Sequence, residues 1–157
     1  VCYFVVVKTP DAQTWIRRLK LKPHPEGGTY RQTYRSSEKI PGRALPARYK
    51  GKPRSFSTLI YYLLEGKQIS RLHRLRSDEI WCFHAGSGLT LHVLTPSGRK
   101  KKIRLGIRPE KNEVPHAVIK RGCWFGAEVS EKDSYALASC IVAPGFDFAD
   151  FELADLT

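Results

Sequence analysis

Acidic residues are scarce in this chain. Its 157 residues carry 15 Asp and Glu against 27 Lys and Arg, a formal net charge of +12. That balance favours anionic partners: phosphorylated small molecules, nucleic acid or acidic membrane surfaces. Cysteines at metal-binding spacing are missing as well. Cys2, Cys82, Cys123 and Cys140 lie far apart, with neither a CxxC pair nor a CxxC…HxxxH pattern, which speaks against a zinc ribbon or finger. The last three sit in apolar, strand-like runs where a thiol behaves as a small core hydrophobe, so reduced cysteines and a cytoplasmic setting are expected. Long apolar runs are absent. The apolar opening, Val1 to Val7, is short, follows no basic stretch and runs into Lys8-Thr9-Pro10, so it reads as neither a signal peptide nor a membrane span. No internal repeat or low-complexity tract is visible, and aromatics are not interleaved with a basic stripe, which argues against nucleic-acid binding.

What is present is a globular composition, 41% hydrophobic and 11% aromatic, enough to bury a core within a single domain over residues 1–157. The core is expected over about 19–156, with residues 1–18 as an N-terminal segment. Thr9 as cap, Pro10 at the first helical position, and Trp15, Ile16 and Leu19 on one face predict a short amphipathic helix over about 10–20. From Gly27 onward, short runs rich in Tyr, Val, Ile, Leu and Trp alternate with Gly, Pro, Ser and Asp punctuation, the pattern of an all-β sandwich or barrel. Strands are expected near Thr29–Ser36, Ser57–Leu64, Gln68–Leu75, Glu79–Ala85, Leu89–Leu94, Lys101–Gly106, Ala117–Lys120, Gly122–Val129 and Tyr135–Val142. The stretch between Ser36 and Phe56 reads as a basic surface loop.

Chemistry concentrates in His73-Arg74-Leu75-Arg76-Ser77-Asp78-Glu79-Ile80-Trp81-Cys82-Phe83-His84-Ala85-Gly86. Strict alternation puts Ile69, Arg71, His73 and Leu75 on one strand face, and Glu79, Trp81 and Phe83 on one face of the next. Arg71, His73, Glu79 and Trp81 are therefore expected to line one interior cavity, since such a mixture inside a barrel is costly unless the groups pair or meet a ligand. The alternative pairs Arg71 with Glu79 in an internal salt bridge. Among the basic residues, Arg31 and Arg35 share a face of the first long strand. The His24-Pro25-Glu26-Gly27-Gly28 segment reads as a rigid turn, structural in role.

The spacing His73-x-Leu75-xxx-Glu79-xxxxxx-Gly86 resembles the first motif of the cupin superfamily, and Lys120-Arg121-Gly122-Cys123-Trp124-Phe125 is similar to the second. The strings from Pro23 to Arg31, from Ser77 to Trp81 and from Ala143 to Leu153 resemble the cupin group catalogued as domain of unknown function 985. The resemblance implies a double-stranded β-helix, a jelly-roll barrel of the RmlC-like kind open at one end, and a homodimer. Cupin metal sites use three histidines and a glutamate, but Leu75 and Phe125 stand at two of those positions, so no metal and no other cofactor are expected. His73 and Glu79 then remain as an acid–base pair, with the carboxylate raising the basicity of the imidazole. Metal-free cupin epimerases of nucleotide-linked sugars supply the analogy, with a tyrosine among Tyr30, Tyr34, Tyr61 and Tyr62 as acid. Catalytic candidates are His73 and Glu79; ligand-binding candidates are Arg71, Trp81, Arg31, Tyr34 and Phe125, with Arg71 meeting a phosphate and Trp81 a ring. The expected function is binding of a phosphorylated small molecule or nucleotide, with epimerase or isomerase chemistry. The alternative is a catalytically silent dimeric module for an acidic partner or nucleic acid.

Overall fold

The computed structural model describes residues 9–155; Cys2 and the apolar opening lie outside them. The helix α1 (Ala12–Leu19) begins two residues later than Pro10 suggests, because Asp11 caps it: its carboxylate accepts from the Thr14 N–H at 2.7 Å. Lys20, in the left-handed conformation, ends it. Fourteen strands follow: β1 (Lys22–Pro23), β2 (Thr29–Arg35), β3 (Lys39–Ile40), β4 (Arg54–Ser55), β5 (Thr58–Glu65), β6 (Ile69–Leu75), β7 (Asp78–Gly86), β8 (Leu89–Leu94), β9 (Lys100–Leu105), β10 (Glu113–Val114), β11 (His116–Ile119), β12 (Trp124–Val129), β13 (Tyr135–Ala143) and β14 (Phe151–Leu153). Each strand expected from the sequence is present within a residue or two of its predicted bounds. The ones the pattern does not reveal are two or three residues long, too short to carry a period.

Two six-stranded sheets form the body, in the orders β1-β2-β5-β13-β7-β11 and β10-β9-β8-β12-β6-β14. Their pairings are antiparallel except that of β10 with β9. Chain neighbours such as β5, β6 and β7 fall in alternate sheets, the jelly-roll connectivity expected for this fold class. Between the sheets, Leu64, Leu89, Leu91, Leu105, Phe125 and Val129 form a dry core at one end, each contributing roughly 1.5–3 kcal/mol by burial. The two central strands of the first sheet are buried on both sides: Leu63 and Leu137 point outward and are covered by Trp15, Ile16 and Leu19 of α1. The stretch between Ser36 and Phe56 is better anchored than its basic loop composition suggests. It forms the β3–β4 pair with two short turns, and buries Tyr49 and Arg54. Arg54 there forks onto Asp150, with both nitrogens at 2.7 Å.

Candidate functional site

The end of the sandwich opposite the dry core is hollow. A cavity of about 480 Å³ opens there, with His24, Glu26, His73, Glu79 and Trp81 among its inner lining and Lys22, Arg31 and Arg35 also in its wall. Phe146, Phe148 and Phe151 of the C-terminal segment, with ring centroids 5.0–6.2 Å apart, make an aromatic side wall.

A bulge in β6 decides which side chains enter. Phe125 of β12 stands opposite His73 and Ala127 opposite Ser70, so Gly126 faces two residues instead of one. Ser70 and His73 therefore both point inward, and Arg71 points out, corrected from the cavity position that strict alternation gives it. Its side chain donates to the Pro25 carbonyl. Arg71 still shapes the site through its backbone. Its N–H donates to the Glu26 carbonyl at 2.8 Å, which docks the His24–Gly28 turn on β6, and its carbonyl accepts from Nδ1 of His73 at 2.7 Å. Gly27 permits that docking: with φ at +114°, a Cβ there would stand 2.2 Å from the Ile69 carbonyl oxygen.

The carbonyl of Arg71 offers no proton, so Nδ1 of His73 carries one and donates it. Nε2 then faces Oε2 of Glu26 at 3.3 Å. The other oxygen of Glu26 accepts from Ser70 at 2.9 Å. His24 is fixed in the opposite sense: its Nδ1 accepts the Glu26 N–H at 3.2 Å, and burial holds its pKa below the ordinary histidine value. Glu79 does not touch His73 in the way its sequence position suggests, nor does it pair with Arg71. It accepts from the indole N–H of the adjacent Trp81 at 3.0 Å. Burial, reinforced by the nearby charge of Glu26 and opposed by the indole donor, pushes its pKa to about 8, so at neutral pH it is an acid with a proton to give.

Two further candidates change place. Tyr34 is 53% exposed, because the β2–β5 register slips between Gln32 and Tyr34; the slip turns Arg35 inward and Tyr34 out. Phe125 is buried behind His73, ring centroids 4.1 Å apart, a support for the imidazole instead of a cavity wall. Arg31 contributes to the wall, one nitrogen donating to the Leu19 carbonyl at 3.2 Å. His24, Glu26 and Ser70 are what the sequence reading misses as site residues. The visible signal was an ionisable pair inside a Pro- and Gly-rich turn, but the turn chemistry explained it fully on its own.

Two facing antiparallel sheets in jelly-roll order, hollow at one end and with polar residues of β6 and β7 turned into the hollow, define a cupin. The chain belongs to the family described as Cupin superfamily (DUF985), whose model matches residues 13–154. A hypothetical protein from Leishmania major is 37% identical, covering 92% of this chain and 88% of that one, with a TM-score of 0.82. A protein from Shewanella oneidensis is 37% identical over 94% of this chain and 86% of its own, at a TM-score of 0.83. An uncharacterized protein of Saccharomyces cerevisiae is 31% identical over 94% of this chain and 79% of its own length. Oxalate decarboxylase from Bacillus subtilis shares the fold alone, at 15% identity and a TM-score of 0.57, over 83% of this chain and 29% of that one.

The side chains here do not fit the cupin metal site. Leu75 and Phe125 bring carbon where ligands would stand, and the oxygens of Glu26 already face Ser70 and His73. Among the described residues, no group of three or more His, Cys, Asp or Glu side chains is placed to hold a metal ion.

Proposed function

We propose that this cupin binds a phosphorylated small molecule of nucleotide or nucleotide-sugar type in the hollow end and moves a proton on it, as an isomerase or epimerase. The observation that carries the reading is the pair of proton sites in one cavity: the Glu26–His73 contact and the protonated Glu79. The Glu26 carboxylate, positioned by His73 and Ser70, takes a proton from a carbon beside a carbonyl. Glu79 delivers its own proton to the carbonyl oxygen, and the resulting enol regains a proton at carbon while Glu79 recovers the one it gave. Lys22, Arg31 and Arg35 offer the cationic edge a phosphate needs, a role the sequence suggests for Arg31, Arg35 and Arg71. Trp81, in the cavity lining, and the Phe146–Phe151 wall offer aromatic surface to a base or sugar ring. Because Cys82, Cys123 and Cys140 are free thiols, the reading keeps a reducing, cytoplasmic setting. Among the described residues no helix is long and apolar enough to cross a membrane.

The test is a thermal-shift screen of nucleotides, nucleotide sugars and sugar phosphates, followed by proton NMR of the hits in deuterated buffer. The expected result is stabilisation by one class and enzyme-dependent deuterium incorporation at a sugar carbon, abolished in His73→Asn while binding survives. Stabilisation with no exchange in the parent would remove the catalytic half. A flat screen would remove the ligand as well and favour the silent binding module.

A further inference from the structure

Leu75 and Phe151 line the hollow end on one side and a second, shallower cleft of about 480 Å³ on the other. Arg48, Arg74, Arg76 and Arg121 surround that cleft, with Asp150 and Glu152 as its acids. The acids are already taken. Buried Asp150 is gripped by both nitrogens of Arg54, which leaves Arg76 a 3.5 Å contact to one oxygen. Glu152 is held by Arg74 at 2.8 and 3.0 Å. Among the described residues, neither Arg48 nor Arg121 makes a side-chain ion pair with a carboxylate, although Asp78, paired with Lys120, lies within reach of the Arg121 charge.

These guanidinium groups do not wave freely in solvent. Nε of Arg48 donates to the Arg76 carbonyl at 3.0 Å, and its plane lies 4.8 Å from the ring centre of Tyr49. Tyr49 is fully buried, and its hydroxyl bonds the same carbonyl and Ser77. Arg74 sits 4.6 Å over Trp124. Arg76 and Arg121 are held less: Arg76 by its contact with Asp150, and Arg121 through its backbone N–H, which donates to Asp78 at 2.9 Å. Part of the ordering entropy that a flexible basic surface loses on binding is therefore already spent.

From this arrangement we propose that the cleft is a second anion site, separate from the hollow end, that takes the di- or triphosphate group of a small molecule. Arg48, Arg76 and Arg121 supply forked donors to its oxygens. The site is independent of the reaction proposed above and stands or falls separately.

Titration calorimetry of the full chain with tripolyphosphate, at about 0.15 M salt to suppress long-range attraction, tests it. The Arg76→Ala and Arg121→Ala variants should each weaken binding about five-fold or more, the loss expected of a charge-assisted contact. The double variant should weaken it further. Arg17→Ala with Arg18→Ala removes two charges from the exposed face of α1 and should leave the affinity within about two-fold. The proposal is overturned if the helix double variant loses as much as the cleft double variant, which would mean attraction to net charge alone. It is overturned equally if the cleft variants bind like the parent, whether or not Arg35→Ala in the hollow end weakens binding, or if a short single-stranded RNA binds the cleft far more tightly than tripolyphosphate.

Discussion

Glu79 keeps its proton at neutral pH because it is buried, beside the charge of Glu26, with the Trp81 indole as the donor that opposes the shift. Between pH 4.5, where a free carboxyl releases its proton, and about 8, the folded chain retains a proton that the unfolded chain has lost. Raising pH through that window therefore favours unfolding, by up to roughly 1.4 kcal/mol per unit, and the effect ends above the folded value. Glu79→Gln removes it. Denaturant melts of both proteins from pH 5 to 9 should show the variant gaining on the parent as pH rises, and parallel curves would show that Glu79 ionises normally. His24, with its depressed pKa, acts in the opposite sense in both proteins and cancels in the difference. At this scale the sequence was legible for His73, Glu79 and Trp81 as inward residues. It was not for Arg71 and Tyr34, because one extra residue in a strand reverses the phase of everything beyond it, nor for Phe125, which is inward but packed behind His73.

The bulge in β6 is the element that builds the site, and it depends on Gly126. A Cβ at that position would stand 2.7 Å from the Ser70 carbonyl oxygen, against backbone that cannot move aside without breaking the β6–β12 ladder. Gly126→Ala should cost roughly 1–3 kcal/mol and disturb Ser70 and His73 together, so ligand-induced stabilisation should fall with it. Thermal melts with and without the screened ligand read both effects. An unchanged melting temperature would show that the bulge relaxes without Gly126. The turn before β2 is the second such element, since docking the Glu26 carbonyl on Arg71 N–H is what brings a carboxylate to His73. Neither feature alters hydrophobic periodicity, so the strands were readable from the sequence while their register against one another was not.

For the whole molecule, sheet edges at β1 and β11 and exposed apolar side chains at Tyr34, Phe56, Val118 and Phe148 give physical grounds for association of two copies. Light scattering at micromolar concentration is expected to return about twice the chain mass of 17.9 kDa; a strictly monomeric mass would leave these surfaces to solvent. The net charge of +12 belongs to this scale too, since it draws anions towards the molecule without selecting a place for them. The amino-acid sequence by itself determined the all-β class, the strand order along the chain, the family resemblance and the carbon at two cupin ligand positions, because periodicity, turn residues and motif spacing are local properties. Only the tertiary structure decided that Glu26 meets His73, that Glu79 pairs with Trp81, and that four arginines share a cleft around acids already engaged. Those contacts join segments tens of residues apart, and their partners are set by bulges and docked turns that leave no period in the chain.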